Sequence, residues 1–244
     1  MSKFQHHPLT GPGFPKPIVK DNFMTASLDL LQTLSQNGPR VSTDALIGSR
    51  YLSTAPPHWM AGLYGMIHMP ILWGTTSILL PVDCLTPVEV DHVGQVLKII
   101  QVDGGFYTPS LLMDICVDEK ALSLVRDQKY VFFSGAPLEK WVGDLLCKLT
   151  LVLPFPGSTE TRSFPIYEPT GEEWRYYSFH PASGYRMEPY GDGLFELVID
   201  RKAEWEPFQF VFKVFPELDT YHTKDLYSRH GLNRWLFEGR RIIS

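Results

Sequence analysis

Between Tyr51 and Val82 the chain carries no Asp, Glu, Lys or Arg. The centre of this run, "GLYGMIHMPILWGTTSILLPV", has the length of a membrane span. His68, Pro70, Gly74 and Thr75-Thr76-Ser77 interrupt it, however, and such breaks mark a buried helix followed by a buried strand. No membrane partner is therefore expected. Cysteine is scarce as well. Cys84, Cys116 and Cys147 are far apart, odd in number and without metal-ligand spacing, which fits a reducing, cytoplasmic setting. Lys and Arg form no stripe, and the formal charge is -5, so no nucleic acid is expected as a partner. The opening "MSKFQHHPLTGPGFPKP" has no apolar core segment, and no secretory leader is expected there. His6-His7 has no partner Cys, and carboxylates are distant, so it reads as a solvated tail. There is no G-x-S-x-G elbow, no G-x-G-x-x-G after a strand, and "GPGFPKP" lacks the P-loop spacing.

What is present is a core-forming chain of 244 residues, 44% hydrophobic and 13% aromatic. Arg50 to Thr54 reads as a strand, "HWMAGLYGMIHM" as a helix and "TTSILLP" as a strand. "TPVEVDHVGQVLKII" reads as a helix capped by Thr86, with Pro87 at its first position and Val90, Val93, Val96 and Leu97 at helical spacing. "VDGGFYT" is a strand, and Pro109 to Leu124 holds one or two short helices. "KYVFFSG" is a strand, "PLEKWVGDLLCKL" an amphipathic helix and "TLVLPF" a strand. This alternation implies an α/β fold, a mostly parallel sheet flanked by helices, with ligands beyond the carboxyl ends of the strands. Two small-residue loops fall at that end: Ser134-Gly135-Ala136-Pro137 and Gly157-Ser158-Thr159-Glu160. After Phe164 the pattern becomes antiparallel β, with turns at Ser183-Gly184 and Gly191-Asp192-Gly193, and strands continue through "FQFVFKVFPELDTYHTKDLYSRHG". The tail "LNRWLFEGRRIIS" is short and basic. The expected organisation is an α/β subdomain over 1–165 and an antiparallel β subdomain over 166–244.

"GSTE" at 157–160 suits a phosphate site. Gly lets the backbone approach an anion, hydroxyls donate to it, and a carboxylate can hold a magnesium ion that bridges phosphates. An exposed turn would use the same residues. Asp225, in "YHTKDL", could accept from ribose hydroxyls, or simply sit in a turn.

Together these segments resemble the adenylate-forming superfamily of acyl-CoA synthetases and NRPS adenylation domains, most closely its fungal NRPS-like reductases. GSTE resembles the end of the Tyr-Gly-Ser-Thr-Glu motif, and "YHTKDL" the Tyr-Arg-Thr-Gly-Asp-Leu motif. "YVFFSGAPLEKWVGDLL" is similar to the segment whose Gly-Ala-Pro loop lies against adenine, and "YLSTAPPHWMAGLYGM" to the segment beside the acyl pocket. "HPLTGPGFPKPIV" resembles the phosphate loop, over 7–17. The resemblance implies ATP and Mg as cofactors, a carboxylic-acid substrate and acyl-adenylate formation in fungal secondary metabolism. It implies nucleotide contacts from Gly135, Ala136, Pro137, Gly157, Ser158, Thr159 and Asp225, magnesium on Glu160, and a substrate pocket at His58 and Trp59.

The chain departs from the motifs at several points. His7, Gly13, Pro15, Lys16 and Pro17 are kept, but Pro8-Leu9-Thr10-Gly11-Pro12 replaces the hydroxyl-rich core, and prolines remove backbone donors. Pro156 stands where a Tyr would stack on adenine, and Lys224 where a Gly precedes the ribose Asp. "FEGRRIIS" resembles the hinge motif but has no Asp after Arg240. The expectation is a truncated core without most of the N-terminal subdomain and without the lid and its catalytic Lys, so that ATP and Mg binding are weak or lost. An inactive pseudoenzyme or scaffold, a partner enzyme, or self-association are the accompanying alternatives.

Overall fold

In a computed structural model the described residues are 31, 33–36, 38–81 and 88–241, with the backbone pairs Phe4–Gln5 (β1) and Ile18–Val19 (β2), which run antiparallel to each other. The altered phosphate loop at 7–17, the His6-His7 pair, Cys84 and the cap at Thr86-Pro87 lie outside them.

Five short strands form one wholly parallel sheet: β3 (Arg50–Ser53), β4 (Thr76–Leu79), β5 (Gly104–Tyr107), β6 (Tyr130–Phe133) and β7 (Leu151–Pro154). Their order is β4-β3-β5-β6-β7. Every residue of β5 and β6 is buried, as a sheet covered on both faces requires. Successive side chains of a strand point to opposite faces, and the two cores divide accordingly. Tyr51, Phe106, Tyr130, Phe132 and Leu153 enter one. Leu52, Tyr107, Val131, Phe133 and Val152 enter the other. Two buried phenols of the sheet are satisfied: Ser49 Oγ meets the Tyr130 hydroxyl at 2.7 Å, and Gln128 Nε2 donates to the Tyr107 hydroxyl at 2.6 Å.

The connections are helical. Met60–Leu63, a π-turn at Tyr64–His68 and Met69–Trp73 make one continuous stretch between β3 and β4. The described part of the uncharged run, Tyr51 to Pro81, is thus strand, helix and strand, and among the described residues no helix is long and apolar enough to cross a membrane. The helix Val90–Ile99 starts later than the Thr86 cap implies. Glu89 is its N-cap, and the Glu89 amide donates to His92 Nδ1 at 3.2 Å. Thr108 caps Pro109–Val117, Asp118 caps Glu119–Arg126, and Lys140–Leu146 completes the set.

After β7 comes a tight hairpin, β8 (Gly157–Ser158) with β9 (Arg162–Ser163). An antiparallel sheet follows: β10 (Tyr176–Tyr177), β11 (Tyr185–Gly191), β12 (Leu194–Asp200), β13 (Thr220–Arg229) and β14 (Trp235–Arg240), in the order β10-β14-β13-β12-β11. Gly191-Asp192-Gly193 is the β11–β12 turn, as expected. Two readings need correction. Ser183-Gly184 leads from a 3-10 turn into β11 and is no hairpin tip, because β10 pairs with β14. "FQFVFKVF" is not a strand but part of a helical segment, Ala203–Phe208 in 3-10 form and then Val211–Val214. Gln209 overrides the local β preference there. It accepts from the Lys202 amide at 2.7 Å and donates to the carbonyls of Asp200 at 2.7 Å and Ser183 at 3.2 Å, folding the chain back on itself.

Candidate nucleotide and acid site

The loops after β6 and β7 are tied together, because Ser134 Oγ donates to the Phe155 carbonyl at 2.7 Å. Gly135, Ala136 and Pro137 stand exposed beside that tie. The next residues form the β8–β9 hairpin. Gly157 is obligatory there: a Cβ would lie 1.9 Å from the Arg162 carbonyl oxygen. Ser158 and Thr161 lock the turn, since the Ser158 amide donates to Thr161 Oγ1 at 3.0 Å and the Thr161 amide to Ser158 Oγ at 3.2 Å. Ser158's hydroxyl is thereby engaged within the hairpin. Thr159 is different. It is 2% exposed, and its Oγ1 has no hydrogen-bond partner among the described residues. One buried carboxylate oxygen of Glu160, Oε2, also lacks one. Buried polar groups are normally satisfied; Ser42 Oγ, Thr43 Oγ1 and Ser163 Oγ are further buried oxygens without a partner among the described residues.

Asp225 reaches this region from β13. Lys224 before it has a φ of 68°, the left-handed conformation that favours glycine. Lys224 lies inside β13, where the register of the β12–β13 pair shifts. The Lys224 amide donates to Glu196 Oε1 at 3.1 Å, and its carbonyl accepts from the Arg241 amide at 2.8 Å. Asp225 pairs with Arg240 at 3.6 Å. Burial pushes its carboxyl up to about 6, Arg240 opposes this, and Glu196 and then Glu160 add to it. Glu160 and Asp225 thus act on each other electrostatically. Burial, then Glu160, raises Tyr221 to about 12 as well. Glu196 is buried and sits 3.4 Å from His222 Nδ1 and 3.5 Å from Arg241.

His58 and Trp59 follow β3 at the same end of the sheet. Both are exposed, Trp59 by 42%, and their rings meet each other edge-on. The aromatic residue that packs beneath the hairpin is Tyr64, one helical turn on. Its ring lies 5.8 Å from that of Phe155, and the Arg162 guanidinium carbon is 5.8 Å from its centroid. Tyr64, Arg162, Arg240 and Glu196, which pack or pair around the hairpin and β13, were not singled out in the sequence. Nothing in the local sequence signals that an arginine two places after Glu160 is buried. Among the described residues no group of three or more His, Cys, Asp or Glu is placed to hold a metal ion. A magnesium ion here would take one carboxylate from Glu160 and the rest of its shell from phosphate and water.

The fold defined by these two sheets is that of the adenylate-forming ligases. It superposes on malonyl-CoA ligase in its product complex with methylmalonyl-CoA and AMP, with a TM-score of 0.70, 17% identity, and 98% of this chain on 52% of that one. O-succinylbenzoate CoA synthetase of Bacillus subtilis with AMP gives 0.67 at 14% identity, with 98% of this chain on 49% of that one. No family model matches the sequence. The resemblance to fungal NRPS-like proteins holds over nearly the whole chain. The chain is 28% identical over 234 residues to an isocyanide synthase-NRPS hybrid of Aspergillus fumigatus, covering 93% of this chain and 15% of that protein. It is 29% identical over 245 residues to a carboxylic acid reductase of Neurospora crassa, covering 96% and 23%. It thus spans less than a quarter of the curated relatives it matches.

Proposed function

We propose that the chain serves ATP-dependent activation of a carboxylic acid, in which the carboxylate attacks the α-phosphate and forms an acyl-adenylate and pyrophosphate. The observation that carries this reading is the adjacent pair of buried oxygens, Thr159 Oγ1 and Glu160 Oε2, with no partner among the described residues. A hydroxyl there suits an α-phosphate oxygen, and a carboxylate suits magnesium. Asp225 is the acceptor for ribose hydroxyls, and Gly135 to Pro137 the edge beside adenine. Similarity to fungal NRPS-type proteins supports a secondary-metabolite setting. Turnover is low in this reading, because Pro156 offers no adenine stack and Ser158 is committed to Thr161.

Calorimetric titration of the whole chain with ATP, with and without magnesium, is the test. Binding should require magnesium, and Glu160→Gln should weaken it about tenfold, the worth of one charge-assisted contact. Binding indifferent to magnesium and to Glu160 defeats the reading. A second reading, a non-catalytic protein that keeps the fold, draws on the Arg240 pairing of Asp225, which competes with ribose. Pyrophosphate release with a panel of aryl and α-keto acids separates the two.

A further inference from the structure

β12 and β13 are in register at Glu196 with Leu226 and again at Val198 with His222. Leu197 therefore stands opposite Thr223, Lys224 and Asp225 together, and β13 bulges there. Bulges beside functional sites re-aim a side chain, and this one carries Asp225. Inside it, side chains take the place of ladder bonds. The Lys224 amide donates to Glu196 Oε1 at 3.1 Å. The Asp225 amide donates to Thr223 Oγ1 at 3.1 Å, and that hydroxyl donates in turn to the Leu197 carbonyl at 2.7 Å. The bulge's carbonyls are held from β14 and the residue after it, that of Thr223 by Arg240 Nη2 at 3.1 Å and that of Lys224 by the Arg241 amide at 2.8 Å. Glu196 and Thr223 are each 3% exposed. A buried carboxylate costs desolvation even with His222 at 3.4 Å and Arg241 at 3.5 Å. An apolar residue at 196 would avoid that cost, but it would deprive the Lys224 amide of this acceptor.

We propose that Glu196, together with Thr223, is a positioning residue for the nucleotide: the two clamp the bulge that aims the Asp225 carboxylate at the ribose hydroxyls. Glu196 touches no ligand itself and acts through the Lys224 amide. The inference rests on the proposed nucleotide site and adds to it the residues that set its preference for a hydroxylated ribose.

The whole chain is titrated calorimetrically with Mg-ATP and with Mg-dideoxy-ATP, which lacks both ribose hydroxyls. The wild type should favour ATP about tenfold or more, the worth of a hydrogen bond to a charged group. Glu196→Ala and Thr223→Val each cut the clamp. Both should lose most of that preference and bind dideoxy-ATP as the wild type does. Glu196→Gln keeps an acceptor for the Lys224 amide and should keep the preference. Amide hydrogen exchange reads the clamp without nucleotide. The Asp225 amide should exchange faster in Glu196→Ala and Thr223→Val, and at the wild-type rate in Glu196→Gln. Equal affinity of the wild type for the two nucleotides, cut variants that keep the wild-type preference, or cut variants that weaken both nucleotides alike would overturn the proposal. A wild type that binds neither nucleotide defeats the nucleotide reading by itself. The clamp is then decided by exchange, and an Asp225 amide unaltered in Glu196→Ala overturns it.

Discussion

Asp225 couples the site to pH. Its folded pKa, about 6, lies above the ordinary value of 3.8, so the fold prefers the protonated acid. The contribution to stability is therefore complete below pH 4 and is lost as pH rises towards 6. Its upper size is about 3 kcal/mol, from 1.36 kcal/mol per pKa unit. Asp225→Asn should flatten the stability profile between pH 4 and 6 and raise the urea midpoint at pH 7. Arg240, which loses its partner, is 42% exposed and tolerates this. An unchanged profile would mean that Asp225 is not the buried acid described here. Lys224 gives a second residue-scale prediction. A non-glycine residue at a φ of 68° costs about 1–2 kcal/mol, offset for Gly by about 0.5–1 kcal/mol of unfolded-state entropy. Lys224→Gly should stabilise by up to about 1 kcal/mol and Lys224→Val should destabilise, both read from denaturation midpoints.

At the scale of elements, the sequence was most readable where its pattern was periodic. β6 is a run of aromatic and β-branched residues, β5 ends in Phe106-Tyr107 after two glycines and β7 is a short apolar run, and their alternation with helices fixes a parallel sheet. The start of the helix at Pro109 was readable, because proline suits the first helical position. Legibility failed where distant groups decide. "FQFVFKVF" has strand composition, yet Gln209 bonds to Lys202, Ser183 and Asp200 and turns it helical. The proposed nucleotide contacts were named from motif resemblance, each motif being a short contiguous run. The packing of Arg162 on Tyr64 could not be read, because it crosses from the helix after β3 to the hairpin after β7. Ser158 shows the opposite limit. Its type suited a phosphate, but the hairpin uses its hydroxyl for Thr161.

At the scale of the whole molecule, the two sheets must be docked for the candidate site to exist, since Thr159 and Glu160 follow the first and Asp225 belongs to the second. Trp174 makes much of that junction. It stands just before β10, in the 3-10 turn Gly171–Arg175, yet its ring is 3% exposed within the core of the parallel sheet. It packs edge-on to Phe133 and lies so close over Gly143 that a Cβ there would meet its ring at 2.1 Å. Its Nε1 donates to Asp144 Oδ1 at 3.2 Å. Bridges between Val41 and Tyr167, and the Ser42 amide donating to the Ile166 carbonyl at 3.0 Å, reinforce the joint. Trp174→Ala removes a buried indole and leaves a cavity, at a cost of about 3–5 kcal/mol. The thermal midpoint should fall by roughly 10 °C for a chain of this size. Mg-ATP affinity should fall too, measured well below that midpoint, although Trp174 touches none of the proposed nucleotide contacts. Asp144→Asn, which keeps an acceptor for the indole, should do neither. A Trp174→Ala chain that melts like the wild type would show that the sheets are held together elsewhere. One that is destabilised but binds nucleotide normally would show that the hairpin and Asp225 keep their relation without this junction.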